Sequence, residues 1–188
     1  VWLSPSRNPE RKLKYSWEMI RVGKHLVGIN TALPNGLVAE AIAAGAIGEL
    51  LGYGSLRREV RYGKNSRIDI LLENGRGEKC YVEVKNVTMK RDLSARAPAE
   101  FPDSVTERGA KHLAELTRMV RQGHRAVMLY LVQRQDSRSF AIAADVDPGY
   151  AKALKKALKA GVEALCYGCR LSPREIAVAG AIPFSSTP

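Results

Sequence analysis

Residues 65–87, NSRIDILLENGRGEKCYVEVKNV, decide the fold of this chain. Residues 67–73 and 79–87 are rich in Ile, Leu, Val and Tyr, and Asn74–Glu78 between them carries two glycines, so the stretch predicts a β-hairpin with a loop of five residues. Pairing Glu73 with Lys79 sets Leu71 opposite Tyr81 and Asp69 opposite Glu83. Because side chains alternate along a strand, Ile68, Ile70 and Leu72 are expected on one face with Cys80, Val82 and Val84, and Asp69, Glu83 and Lys85 on the other. Like charges placed opposite each other repel, and a hard divalent cation with oxygen ligands reconciles them. A lysine two residues on can orient a water or offset the charge of a phosphate. The pattern outlines a Mg²⁺-dependent, nucleic-acid-cleaving site. The same spacing also arises on ordinary solvated sheet faces of alternating Glu and Lys, so the surroundings have to decide.

The 188 residues suffice for a full core and a small appendage. No apolar run approaches the length that spans a bilayer, and the chain opens without a secretory signal, so no membrane partner is expected. Thirty Lys and Arg against 19 Asp and Glu leave a net charge of +11, which favours a polyanionic partner or serves solubility alone. Three cysteines do not make a disulfide framework. Cys80 falls on the core face of its strand, and Cys166 and Cys169 form a lone CxxC inside a predicted strand. A cytoplasmic, reducing setting fits this usage.

Along the chain, VWLSPS, KYSWEMIRVG and HLVGIN read as short strands separated by the basic turn RNPERKLK. Opening directly in a strand, without Met, this part is expected to be the end of a small β domain. Leu37–Ala44 predicts a short helix capped by Asn35 and stopped by Gly45. Its one charge, Glu40, either points to solvent or reaches the charged hairpin. A strand over 56–62 precedes the hairpin, and the segment MKRDLSARAPAEFPD after it is long enough for a functional loop. Ser104-Val-Thr-Glu107 has the spacing of a capping box for a helix ended by Gly123, with Arg108, Lys111 and His112 near its start. RAVMLYLVQR predicts a central strand. Asp147-Pro148 opens a further helix, closed by Gly161, whose Lys152, Lys155, Lys156 and Lys159 form a stripe that is either a phosphate-contacting or a solvated face. Residues 162–171 and 174–182 complete the strands.

The resulting αβββαβ order, with Asp on the second strand and ExK on the third, resembles the core of the PD-(D/E)XK nuclease superfamily, with Ile68 where its proline would stand. NTALPNGLVAEAI, SLRREVRYGKNSRIDILLE, CYVEVKNVTM, FPDSVTERGAKHLAEL, GHRAVMLYLVQR and DPGYAKALKKALKAGVEALCYGCRLSP together resemble the sugar fermentation stimulation protein A family, SfsA. That resemblance implies an α/β fold, with residues 1–33 as the remnant of an N-terminal OB-like barrel and 34–188 as the nuclease-like domain. It implies metal ligation by Asp69 and Glu83, Lys85 beside them, Glu40 as a helix-borne acid of the same site, and Mg²⁺ or Mn²⁺ as cofactor. The segment around Thr106, Arg108, Lys111 and His112 would lie near the substrate path, where His112 acts as acid or base or is simply packed. The basic candidates for phosphate contact are Arg57, Arg58, Lys64, Arg67, Lys90, Arg91, Arg108, Lys111 and His112. The partner expected is DNA, bound without marked sequence preference, with a regulatory role in sugar, notably maltose, metabolism. A metal-dependent deoxyribonuclease is the alternative, and a regulator with a protein partner a third. The sequence leaves a homo-oligomer open.

Overall fold

A computed structural model of the chain describes residues 1–6, 8–63 and 66–185. The amino-terminal part forms an antiparallel sheet of β1 (Trp2–Pro5), β2 (Tyr15–Val22) and β3 (His25–Gly28). The α1 helix (Pro34–Ala43) leads to the meander β4 (Ser55–Tyr62), β5 (Ser66–Glu73) and β6 (Lys79–Val87). After β7 (Ala99–Phe101) come α2 (Glu107–Arg121), β8 (Arg125–Val132), β9 (Phe140–Ile142) and α3 (Pro148–Lys159). The strands β10 (Glu163–Ser172), β11 (Glu175–Ala181) and β12 (Phe184–Ser185) end the described chain. The main sheet has the order β11-β10-β8-β6-β5-β4, and β12-β9-β7 make a small third sheet that the sequence did not announce. Among the described residues no helix is long and apolar enough to cross a membrane.

The strand β8 is buried from Ala126 through Val132, because it pairs in parallel with β6 on one side and β10 on the other and is covered on both faces. On one face α1, Met19 and Leu26 of the amino-terminal sheet, and Val127, Leu129 and Leu131 share a core. On the other, α2 and α3 pack Leu113, Leu116 and Leu154 against Met128, Tyr130 and Val132. Each such side chain contributes roughly 1.5–3 kcal/mol by leaving water. Tyr130 and Tyr150 meet through their hydroxyls at 2.6 Å, so neither phenol is buried unpaired. The amino-terminal sheet is joined to the end of β8 by the Gly28 N–H to Gln133 carbonyl bond of 2.9 Å and by Val27 bridging Arg134.

The hairpin has the expected register from Glu73↔Lys79 through Leu71↔Tyr81, but the ladder ends at Ile70↔Val82, one pair short of Asp69 and Glu83. At the same level the β4–β5 ladder passes from Arg58↔Ile70 to Val60↔Ile68, and Glu59, between them, has φ of 54°. The alternation of side chains changes phase there. Ile70 and Leu72 pack with Cys80, Val82 and Val84 on the α1 side, whereas Ile68 joins Tyr62 and Leu71 on the α2 side. This corrects the expectation that Ile68 shares a face with Ile70.

Two helix starts also differ from the sequence reading. The α1 helix begins at Pro34 behind Leu33, which makes no side-chain cap, so Asn35 lies in the first turn with its amide free for other bonds. The α2 helix is capped by Thr106 rather than Ser104, with Thr106 Oγ1 accepting from Gly109 N at 3.0 Å. Asp147 explains the shift. It caps α3 through Tyr150 N and takes Thr106 N at 2.8 Å with its other oxygen, tying the starts of α2 and α3 together. Asp147→Ala leaves both N–H groups without that acceptor and is expected to cost about 2 kcal/mol, measured by urea unfolding.

Candidate metal centre

Where β5 parts from β6, the Asp69 carboxylate occupies the gap. Its Oδ2 accepts the Val84 N–H at 2.8 Å, a bond that a neighbouring strand carbonyl would otherwise make. Its Oδ1 accepts from Asn35 Nδ2 at 2.8 Å. Asn35 Nδ2 also reaches Glu59 Oε1 at 3.2 Å. The group is half-buried, and both oxygens are held from the protein side.

Glu83, opposite Met128 of β8, is 2 % exposed. Its Oε1 accepts from Lys85 Nζ at 2.8 Å and from His112 Nδ1 of α2. His112 Nε2 accepts from Arg108 Nε at 3.4 Å, one helical turn earlier. An acceptor at Nε2 assigns the ring proton of the neutral imidazole to Nδ1, aimed at Glu83. Lys85 Nζ, 3.3 Å from that Nδ1, therefore directs its donor to the carboxylate. Glu83 Oε2 is buried with no hydrogen-bond partner among the described residues.

The two acids carry unequal loads. Burial works against the Glu83 charge, but the His112 and Lys85 donors outweigh it and hold the carboxyl below its usual range. Burial, then the negative Glu83, pushes Asp69 up to about 6, against the Val84, Lys85 and Asn35 contributions. Repulsion between the pair thus falls on Asp69. The phenol of Tyr62, buried at the end of β4 with no hydrogen-bond partner among the described residues, is driven far upward by burial and then by Glu83, Glu115 and Asp69. Glu115, one turn beyond His112, is buried, pairs with Arg118 at 2.7 Å, and lies against Gly63, where φ of 59° disfavours a side chain.

Of the residues expected at the site, Asp69, Glu83, Lys85 and His112 come together. Glu40 does not. It lies five residues beyond Asn35, roughly 140° around the helix, exposed and without a bond to the cluster among the described residues. Asn35, Glu59, Tyr62 and Glu115 were not singled out as site residues, because their neighbourhood depends on the phase change at Glu59 and on packing of α1 and α2.

The basic candidates divide. Arg58, Arg67, Arg108 and Lys111 are exposed, and Arg57 is exposed while pairing with Glu73 at 3.0 Å. Arg91 is held by Glu100 and Asp145. Two expectations are corrected. Lys90 is buried, its Nζ spent on the Asp136 carbonyl, and His112 is buried on Glu83 rather than presented to a ligand surface. Lys64 lies outside the described residues.

The chain matches two family models: one described as the sugar fermentation stimulation protein RE domain, over residues 32–175, and one as the SfsA N-terminal OB domain, over residues 1–29. It is similar to the sugar fermentation stimulation protein homolog of Paramagnetospirillum magneticum, 64% identical over 92% of this chain and 72% of that protein. It is also similar to the homolog of Rhodospirillum rubrum, 59% identical over 97% of this chain and 78% of that protein. Among solved structures, that of Pyrococcus furiosus SfsA in complex with Ca²⁺ superposes with a TM-score of 0.86 at 28% identity, covering 97% of this chain and 76% of that one.

The raised Asp69 carboxyl has a thermodynamic signature. Its proton is held more tightly in the folded chain than in the unfolded one, so its contribution to stability is fully present below pH 3.8 and is lost as the pH rises through about 6. Over that window the metal-free protein is expected to lose about 3 kcal/mol from this group. Asp69→Asn, which has no charge to ionise, removes this pH dependence, as urea titrations across the window with chelator present would show.

Proposed function

The chain belongs to the sugar fermentation stimulation protein family, and from that premise we propose that it binds DNA through phosphate contacts, without reading base sequence, at a divalent-cation site on a nuclease-like scaffold. The observation that carries this reading is Glu83, a buried carboxylate with one oxygen bonded to His112 and Lys85 and the other without a partner among the described residues, whose negative charge reaches Asp69. Such a pair of acids suits a hard cation of the Mg²⁺, Mn²⁺ or Ca²⁺ kind, and a relative of the same fold was solved with Ca²⁺. Asp69 and Glu83 are the ligands assigned here. A bound cation would supply charge against a phosphate oxygen.

Arg58 and Arg67 on the meander that carries Asp69, and Arg108 and Lys111 at the start of the helix that carries His112, are exposed cations in a chain of net charge +11. Cations on flexible stems fix the position of a phosphate backbone but carry no sequence information. A role in controlling sugar use would rest on such binding, with target choice supplied by other factors.

Phosphodiester hydrolysis is the second reading, and Lys85 favours it. Its ammonium is partly buried among the acids, 2.8 Å from Glu83, where it can hold a water or offset charge developing on the phosphate. A surface that only binds a phosphate backbone has no chemical need for clustered acids facing it.

DNA affinity is expected to fall by tenfold or more between roughly 50 and 200 mM salt and to differ little among unrelated duplexes. Arg108→Gln and Lys111→Gln each weaken it and flatten the salt slope. An affinity indifferent to salt would reject the DNA reading. In calorimetric titrations with Mg²⁺, Mn²⁺ or Ca²⁺, Asp69→Ala and Glu83→Gln should lose saturable binding. For hydrolysis, wild type but not Lys85→Ala should cut duplex or single-stranded DNA with Mg²⁺ or Mn²⁺, while both retain it on a filter; equal cutting by the two would mark a contaminant.

A further inference from the structure

Asp69 is the acid whose charge is least secure, and the structure surrounds it with two residues that no sequence motif singles out for the task. Asn35 donates through Nδ2 to Asp69 Oδ1 at 2.8 Å and to Glu59 Oε1 at 3.2 Å. An amide has two hydrogens on that nitrogen, so each oxygen can receive one, and only this orientation of the amide satisfies both carboxylates. The opposite Asp69 oxygen is held by Val84 N at 2.8 Å. Held at both ends, the carboxylate has its plane set, with a lone pair of each oxygen left over.

Glu59 reaches this contact from an unusual backbone. Among the described residues it is the one non-glycine with positive φ, at 54°, a conformation disfavoured wherever a Cβ is present. A glycine would relieve that strain, yet the position carries a carboxylate that meets Asn35. Asn35 for its part is not occupied as a helix cap, since α1 starts behind Leu33 without a side-chain cap.

We propose that Asn35 and Glu59 are positioning residues for cation binding: Asn35 sets the Asp69 carboxylate, and Glu59 sets the amide of Asn35. This rests on the reading of Asp69 and Glu83 as cation ligands. Residues that orient a ligand in this way govern affinity without touching the ion.

The test is calorimetric titration of the full chain with Mn²⁺ and with Ca²⁺, beside thermal unfolding of the chelated protein. Asn35→Ala is expected to weaken binding by about tenfold and Glu59→Ala by about threefold. Because Glu59 acts through Asn35, the double variant should bind no more weakly than Asn35→Ala alone. Glu59→Gln, whose carbonyl accepts the same N–H, should bind within about twofold of wild type. Glu59→Gly should unfold about 2 °C higher than wild type while binding the cation more weakly, a separation that a merely structural role would not produce.

Wild-type affinity in Asn35→Ala would overturn the proposal. So would losses that multiply in the double variant, or a loss in Glu59→Gln as large as in Glu59→Ala, either of which would make Glu59 an independent contributor. If wild type binds neither cation, or Asp69→Ala binds as tightly as wild type, the cation reading itself fails and the proposal with it.

Discussion

The hydrogen bond from Val84 N–H to Asp69 Oδ2, 2.8 Å long, lies at the point where β5 and β6 separate. A strand leaving a sheet would abandon the backbone groups of its neighbour, and a buried N–H without an acceptor is costly. The Asp69 side chain supplies the acceptor in place of a carbonyl. The two strands can therefore diverge without an orphaned donor, and the carboxylate that permits the divergence stands in the opening it creates. The change of side-chain phase at Glu59 and the shift of Ile68 to the α2 side belong to the same local event.

The acids that meet there are treated differently by their surroundings. Glu83 is almost wholly withdrawn from water, yet it keeps its charge because His112, steadied by Arg108, and Lys85 both donate to one oxygen. Asp69 keeps more contact with solvent and bears the repulsion, which is why its carboxyl is the one pushed upward. An apolar sheet would be more stable than this arrangement without a bound ion. Concentrated, imperfectly satisfied charge inside an otherwise apolar sandwich is the kind of local disadvantage that protein folds retain for function.

Much of this was legible in the chain itself. The hairpin register from Glu73↔Lys79 to Leu71↔Tyr81 follows from alternation and loop length, and the central place of β8 follows from its unbroken run of apolar residues. Asp147-Pro148 marked the start of α3 because a cap and a ring-fixed φ act within a few residues. The cap of α2 was misplaced from Thr106 to Ser104, since Asp147, 41 residues away, holds Thr106 N and no local spacing reveals that. Lys90 read as a phosphate-contacting cation and is buried on the Asp136 carbonyl, and His112, open between acid-base work and simple packing, is buried on Glu83. A lysine's stem and an imidazole are neutral to burial until their partners are known.

The amino-acid sequence by itself determined the main-sheet strands and the helices, the pairing of the hairpin up to Ile70↔Val82, and the placing of Glu83 and Lys85 on one face of β6, because these depend on periodicity and on bonds between near neighbours in the chain. Tertiary structure alone decided that Asn35 rather than Glu40 meets Asp69, that Glu59 bonds the same Asn35 amide, and that His112 holds Glu83. Those outcomes depend on how α1 and α2 are rotated against the sheet. Rotation is set by the shapes of two separate cores, and no stretch of residues carries that information alone.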